Sequence, residues 1–274
     1  MILFILTGLF VWAFYGGLTL RRYAVQSGKV GPGSVRIVVI ADLHSRLWGE
    51  DQQPLLNRIA AQQPDIIALA GDIADDAEPL IGAQRFLEGV SEIAPAYYVS
   101  GNHEWWSGAY DEIKTMIEGY GVTVISNERE YVTVNGVNLC LCGIDDPEVF
   151  EYTEDPELLS IRSEPELLRR RFSDLDSNTY NVLLAHRPEL IETYLQYPFD
   201  LILSGHTHGG QVRILLILNG LFAPDQGYFP RYAGGRYDFG SRTLIVSRGV
   251  GAGNNLPRIF DPPEVVVVDI TGEE

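Results

Sequence analysis

Val35-Arg36-Ile37-Val38-Val39-Ile40-Ala41-Asp42-Leu43-His44 reads as a strand whose carboxyl end delivers two chemically active side chains. Val35 to Ala41 is continuously apolar and rich in β-branched residues, the pattern of a strand buried on both faces. Side chains alternate along extended backbone, so Asp42 and His44 can point the same way and grip one ion. The pattern then repeats. A helical stretch from about Asp51 to Gln63 leads to a second apolar strand, Asp65 to Ala70, which ends in Gly71-Asp72. A helix near Pro79 to Ile93 leads to a third, Ala96 to Ser100, which ends in Gly101-Asn102-His103-Glu104. Asp42, Asp72 and Asn102 are spaced thirty residues apart, about the length of one strand-helix-strand unit. The three clusters are therefore expected at one edge of a largely parallel sheet, outside the carboxyl ends of its strands.

The second half of the chain repeats the device. After Val122 to Ile125 comes an expected hairpin, Glu130 to Val134 and Val137 to Gly143, turned at Asn135-Gly136. A strand from Tyr180 to Ala185 ends in His186, a helix spans Glu189 to Gln196, and a strand from Asp200 to Ser204 delivers Gly205-His206-Thr207-His208-Gly209-Gly210. His-x-His alone is a weak signal. The chain, however, has five histidines, and His44, His103 and His186 follow strands as His206 and His208 do. Imidazole is the commonest protein ligand for a transition metal. Between the halves, residues 145–178 are charged and proline-interrupted, a solvated helical insertion by composition or, on the sharper reading, a substrate-selecting lid. From Val212 to the terminal strand Glu264 to Ile270, strands and Gly-rich turns should complete a second sheet.

Composition bounds the partners. A net charge of -17 over 274 residues argues against general affinity for nucleic acid, which is held by clustered Lys and Arg. A small phosphorylated substrate is compatible, because a bound metal pair dominates its own site. Cys140 and Cys142 lie two apart in a strand-like run and read as free, buried thiols that favour a reducing compartment. Residues 1–20 carry no charged side chain and are long enough to cross a bilayer as a helix. Residues 1–22 are accordingly expected to form a transmembrane anchor and 23–34 a linker. Because Arg21 and Arg22 follow the apolar run, the expectation is a single-pass membrane protein with its catalytic domain, 35–274, on the cytoplasmic side.

The ordered set Asp42-x-His44, Gly71-Asp72, Gly101-Asn102-His103-Glu104, His186 and Gly205-His206-x-His208 resembles the calcineurin-like metallophosphoesterase superfamily, over roughly residues 35 to 270. Within it, the apolar N-terminus and His-Thr-His-Gly-Gly-Gln are similar to a membrane-anchored bacterial branch with YkuE-type phosphoesterases and UDP-2,3-diacylglucosamine pyrophosphatases. The resemblance implies an α/β four-layer sandwich of two mixed β-sheets flanked by helices, here with the N-terminal transmembrane helix. It implies that Asp42, His44 and His208 hold one divalent ion, that Asn102, His186 and His206 hold a second, and that Asp72 bridges them. It further implies hydrolysis of a phosphodiester or pyrophosphate, on a phosphorylated small molecule or lipid-linked substrate, by a metal-bridging hydroxide. His103 would protonate the leaving oxygen, with Glu104 as its orienting partner. Four imidazoles among seven ligands favour Mn, Fe or Zn.

Some residues admit two readings. Arg187 and Arg248 are each either a phosphate clamp or an arginine paired with one of the many carboxylates. Trp48, Trp105 and Trp106 follow metal motifs and either form an apolar lip or pack in the core. Ile214 to Phe222 is either a buried strand or a membrane-facing loop. The competing functions are a nuclease or broad phosphodiesterase of the same fold and a non-catalytic metal-binding scaffold.

Overall fold

Strand β2 (Ser34–Ile40) occupies the middle of the first sheet because its side chains are apolar in both directions: Val35, Ile37 and Val39 face the second sheet, while Val38 and Ile40 face helices. The computed structural model describes residues 2–214, 216–251 and 257–273, without the side chains of residues 2–6 and 9. In the first sheet β2 is flanked in parallel by β3 (Ile66–Ala70), then β4 (Ala96–Val99) and the short β5 (Thr123–Val124). On its other side runs the antiparallel C-terminal strand β14 (Glu264–Thr271), paired in parallel with β1 (Thr19–Gln26).

The second sheet has the hairpin β6 (Arg129–Val134) and β7 (Val137–Ile144) at one edge. Asn135 and Gly136 both have positive φ, as the two-residue turn requires. Next come β8 (Tyr180–Ala185) and β9 (Leu201–Ser204) in parallel, then β13 (Arg242–Val246) with β12 (Gly235–Phe239) antiparallel at the far edge. A separate two-stranded hairpin, β10 (Phe222–Ala223) with β11 (Gly227–Tyr228), follows the His-x-His loop.

Three buried layers hold this together. Between the sheets pack Ile37, Val39 and Ala68 against Leu141, Val182 and Leu203. Outside the first sheet, α2 (Gln53–Ala60), α3 (Ile81–Val90) and α5 (Tyr110–Gly119) contribute Leu55, Ile59, Phe86, Leu87, Ile113 and Ile117. Outside the second lie α8 (Glu164–Phe172) and α9 (Ile191–Tyr194), with Leu167, Phe172, Ile191 and Tyr194. The order helix, sheet, sheet, helix is the expected four-layer sandwich of mixed sheets. The 145–178 segment is helical: α6 (Val149–Tyr152), α7 (Pro156–Ser160) and α8 lie against the second sheet.

The N-terminus corrects the sequence reading. Helix α1 spans Ile2–Ala13, 12 residues, or roughly 18 Å against the ~30 Å of a hydrocarbon core. Among the described residues no helix is long and apolar enough to cross a membrane. The apolar run is divided between two structures: the helix ends before Gly16-Gly17, and Thr19 to Gln26 pair residue for residue with Glu264 to Thr271. Leu18 and Val25 are core residues. The single-pass anchor with a cytoplasmic catalytic domain is therefore overturned, and the expected boundary between anchor and linker falls inside a strand. Hydropathy counts side chains and does not see a sheet partner more than 200 residues away. Ile214 to Phe222 is not a buried strand: Ile214 bridges Leu218 across a turn with Leu216 and Ile217 exposed, Leu215 lying outside the described residues.

Candidate dinuclear metal centre

All strand-end motifs converge at one edge of the sandwich. Five residues there, Asp42, His44, Asp72, His206 and His208, adopt left-handed backbone with φ between 46° and 70°. Such conformations cost roughly 1–3 kcal/mol each in non-glycine residues and persist only where surroundings impose them. The surroundings are hydrogen bonds that join the loops: Asp42 N–H to Gly71 O, His44 N–H to Asp72 O, and Gly205 N–H to His186 O, at 3.1, 2.9 and 3.1 Å. The carboxylates also brace the backbone, with His206 N–H donating to Asp42 Oδ1 (2.9 Å) and His103 N–H to Asp72 Oδ1 (3.0 Å).

The expected ligands fall into two groups. Ligand atoms of Asp42, His44 and His208 lie within 4.8 Å of one another, as do those of Asp72, His186 and His206. Asn102, on the first turn of the short α4 (Asn102–Trp106), has a buried Oδ1 with no hydrogen-bond partner. Asp42 Oδ2 and His186 Nε2 are buried and unpartnered in the same way.

The ring nitrogens show what this arrangement fits. His186 Nδ1 donates to the carbonyl of Ala70 at 2.7 Å, and a carbonyl can only accept. Neutral His186 therefore presents a lone pair at Nε2, which faces Asp72 Oδ2 at 3.1 Å. His44 Nδ1 likewise donates to Asp75 Oδ2 (2.9 Å), so its Nε2 lone pair lies 3.3 Å from His208 Nε2. At His186 a lone pair thus faces a carboxylate in a buried site, which needs a cation between them, whereas His208, its Nδ1 unpartnered, can donate from Nε2 to His44. In the free protein a proton serves: burial opposes charge on His186, but Asp72 outweighs it and raises the imidazole to about 10. Burial also opposes charge on Asp72, yet His186 and then His44 hold that carboxyl well below its usual range. Imidazoles whose second nitrogen is tied to a carbonyl or carboxylate are the usual metal-binding arrangement, and the residues present fit a pair of divalent ions.

His103 stands at the edge of this group: one of its ring nitrogens lies within 4.8 Å of ligand atoms of His44 and Asp72. Its Nδ1 meets Asp76 Oδ1 at 2.6 Å and Asp75 Oδ2 at 3.4 Å, and its ring packs near the half-exposed Trp106, centroids 4.9 Å apart. Glu104 does not orient it. That fully buried carboxylate accepts four backbone N–H groups: Asp72 (3.0 Å) and Gly101 (2.8 Å) on Oε2, Ile73 (2.7 Å) and Ala74 (2.9 Å) on Oε1. Burial and then the Asp72 charge push it up to about 7. The sequence reading missed Asp75 and Asp76, although Gly-Asp-x-x-Asp-Asp placed both within four residues of the expected ligand Asp72.

Both arginines are buried rather than exposed as a phosphate clamp would be. Arg187 is buried, with Nε and Nη2 on Asp146 at 2.7 and 2.9 Å and Nη1 on Asp225 at 2.7 Å. Arg248 donates to Asn219 Oδ1 and Gly234 O and lies 3.4 Å from Asp261. Of the tryptophans, Trp105 is core, stacked on Tyr110, and Trp48 packs against the first helical layer and donates to Val250 O. Trp106 alone of these three is exposed at the site. Cys140 and Cys142 are free and buried, their sulfurs 3.6 Å apart.

Residues 35–210 match the model of the calcineurin-like phosphoesterase family, and the chain belongs to it. It is by that membership a metal-dependent phosphoric ester hydrolase. An uncharacterised metallophosphoesterase of Aquifex aeolicus is 29% identical over 262 residues, 93% of each chain. Phosphodiesterase YaeI of Escherichia coli is 29% identical over 262 residues, 93% of this chain and 89% of YaeI. The Bacillus subtilis metallophosphoesterase YkuE is 26% identical over 254 residues, 90% of this chain and 83% of YkuE. Other relatives are longer: the chain spans 51% of one from Caenorhabditis elegans and 60% of one from Campylobacter jejuni.

Proposed function

We propose that this chain hydrolyses a phosphodiester or pyrophosphate bond in a small substrate, with Asp42, His44 and His208 holding one divalent ion, Asn102, His186 and His206 a second, and Asp72 shared. The observation that carries the reading is the His186 Nε2 lone pair facing the Asp72 carboxylate, with Nδ1 already committed to Ala70 O. Mn, Fe or Zn suits a site with four imidazoles. When bound, two such ions would polarise phosphate oxygens and make water acidic enough to ionise near neutral pH.

The chain's own residues supply the remainder. With Asp76 on Nδ1, His103 has Nε2 from which to pass a proton to the departing oxygen. The Glu104 carboxylate fixes the Asp72 loop by accepting its backbone N–H groups. A nuclease is disfavoured by the charge of -17 and by the engagement of Arg187 and Arg248 with carboxylates, which leaves polyanion recognition no basic surface from either. The aromatic wall that Trp106 offers beside His103 puts apolar and lipid-linked leaving groups among the substrates to screen.

The test is hydrolysis of a chromogenic phosphodiester by the Mn-loaded protein, with single-stranded DNA at low salt and a lipid-linked nucleotide as parallel substrates. His103→Ala should lower turnover by roughly 10²–10⁴ with metal content retained. Protein that binds metal and cleaves none of the three would refute the proposal in favour of a scaffold, and a fully active Asp72→Asn would refute Asp72 as the shared ligand.

A further inference from the structure

Asp225 was not legible as a site residue, yet the structure brings it to the metal centre from nineteen residues beyond His206. It sits between β10 and β11 in left-handed backbone (φ 55°). The hairpin is tied to the His-x-His loop by Leu221 N–H to Gly210 O at 2.8 Å, and closed by the Phe222–Tyr228 ring contact. From there Asp225 Oδ2 accepts from His206 Nε2 at 2.8 Å and from Arg187 Nη1 at 2.7 Å. Arg187 is itself held by Asp146 and, at 3.3 Å, by Glu148 at the root of the helical insertion.

We propose that Asp225 is a positioning residue for the second ion, fixing His206 as the tautomer with its proton on Nε2, so that Nδ1 carries the lone pair, and that Arg187 holds Asp225 in place. A carboxylate can only accept, so the contact assigns that proton when imidazole is neutral. Partners of this kind orient the ligand ring, raise its basicity and typically change metal affinity by 10–100-fold. The inference rests on the dinuclear reading and adds to it a hairpin residue outside the strand-end motifs. It also gives Arg187 a role: the guanidinium spans from the insertion to the hairpin and so couples both to one ligand. A rival assignment makes Glu189, His206 and Asp225 a further cation site, since their ligand atoms lie within 4.8 Å of one another. The Arg187 guanidinium already lies 2.7 Å from Asp225 Oδ2, and its charge opposes a cation there.

The experiment titrates the metal-free full chain with Co²⁺, followed by visible absorption, for the wild type, Asp225→Asn and Asp225→Ala. Zinc-loaded protein provides nitrogen NMR of the histidine rings. The wild type should take up two ions and show His206 protonated at Nε2. Asp225→Ala should weaken the second binding step by about 10–100-fold and leave the first unchanged. Asp225→Asn should fall between, because its amide oxygen still accepts but carries no charge. An unchanged second step, equal weakening of both steps, or loss of a third equivalent of metal would overturn the proposal. A wild type that binds fewer than two ions would overturn the dinuclear reading and this proposal with it, whereas normal binding by all three proteins would defeat the role of Asp225 alone.

Discussion

Replacing Gly101 by alanine should disable the centre through one added methyl group. Gly101 has φ -106° and ψ -172°, extended backbone that alanine adopts freely, so no conformational strain is introduced. The obstacle is space. A Cβ built there would lie 2.2 Å from Asp72 Oδ1 and 2.6 Å from Asp72 backbone nitrogen, against roughly 3.5–4 Å for atoms in unstrained contact. The carboxylate could turn away, but the backbone nitrogen cannot, and Glu104 and the Gly71 contacts pin the loop from behind. The Asp72 peptide must therefore shift by about 1 Å. Overpacking of this kind costs typically 1–3 kcal/mol of stability, and misplacing a catalytic group by about 1 Å can cost 10²-fold in rate. The assay is metal content and phosphodiester turnover of Gly101→Ala beside Gly119→Ala. Gly119 ends α5 and meets nothing within 4 Å. We expect Gly119→Ala to behave as wild type and Gly101→Ala to lose roughly 10²-fold in turnover together with tight binding of the bridged ion. Wild-type metal content and turnover in Gly101→Ala would refute the placement of Asp72 as the shared ligand.

Glu104→Ala leaves four buried N–H groups without their acceptor, at roughly 1–3 kcal/mol for each that water does not satisfy; urea unfolding should show a loss of at least about 3 kcal/mol. Unchanged stability with turnover lost as in His103→Ala would instead make Glu104 the partner of His103. Glu164, at the start of α8, is pushed up to about 8 by burial, with Tyr194 hydrogen bonding against the shift and Asp146 adding to it. The native state then holds a proton that the unfolded chain releases above about pH 4.5, so this contribution to stability is present at low pH and is lost as pH rises toward and through 8. Between pH 6 and 9 the wild type should lose roughly 2–3 kcal/mol more than Glu164→Gln; parallel pH profiles for the two would show that Glu164 is ionised in the fold.

What was legible in the sequence was what depends on neighbours in the chain. The strand-then-ligand pattern at Asp42, Asp72, Asn102, His186 and His206 is local, and parallel strands that deliver side chains at their carboxyl ends bring such positions together without further information. The Asn135-Gly136 turn was legible for the same reason. The failures involve distant partners. Thr19 to Gln26 carries Arg21, Arg22 and Tyr23 and becomes a strand only because β14 offers an edge. Glu104 follows His103 in the chain, but the first turn of α4 aims its carboxylate back at the Asp72 loop while Asp76 reaches His103 from the other side. Arg187 directly follows the expected ligand His186, which left a phosphate clamp and a carboxylate pairing both open. Its partners Asp146 and Asp225 lie 41 and 38 residues away, and no spacing rule reveals them.

The central claim is that seven side chains hold two cations around one shared carboxylate, and electron paramagnetic resonance of the Mn-loaded protein tests it most directly. The account predicts two Mn per chain with the multiline signal of an exchange-coupled pair, and an uncoupled spectrum or a single ion in Asp72→Asn. One ion per chain in the wild type, or two that never couple, would contradict it.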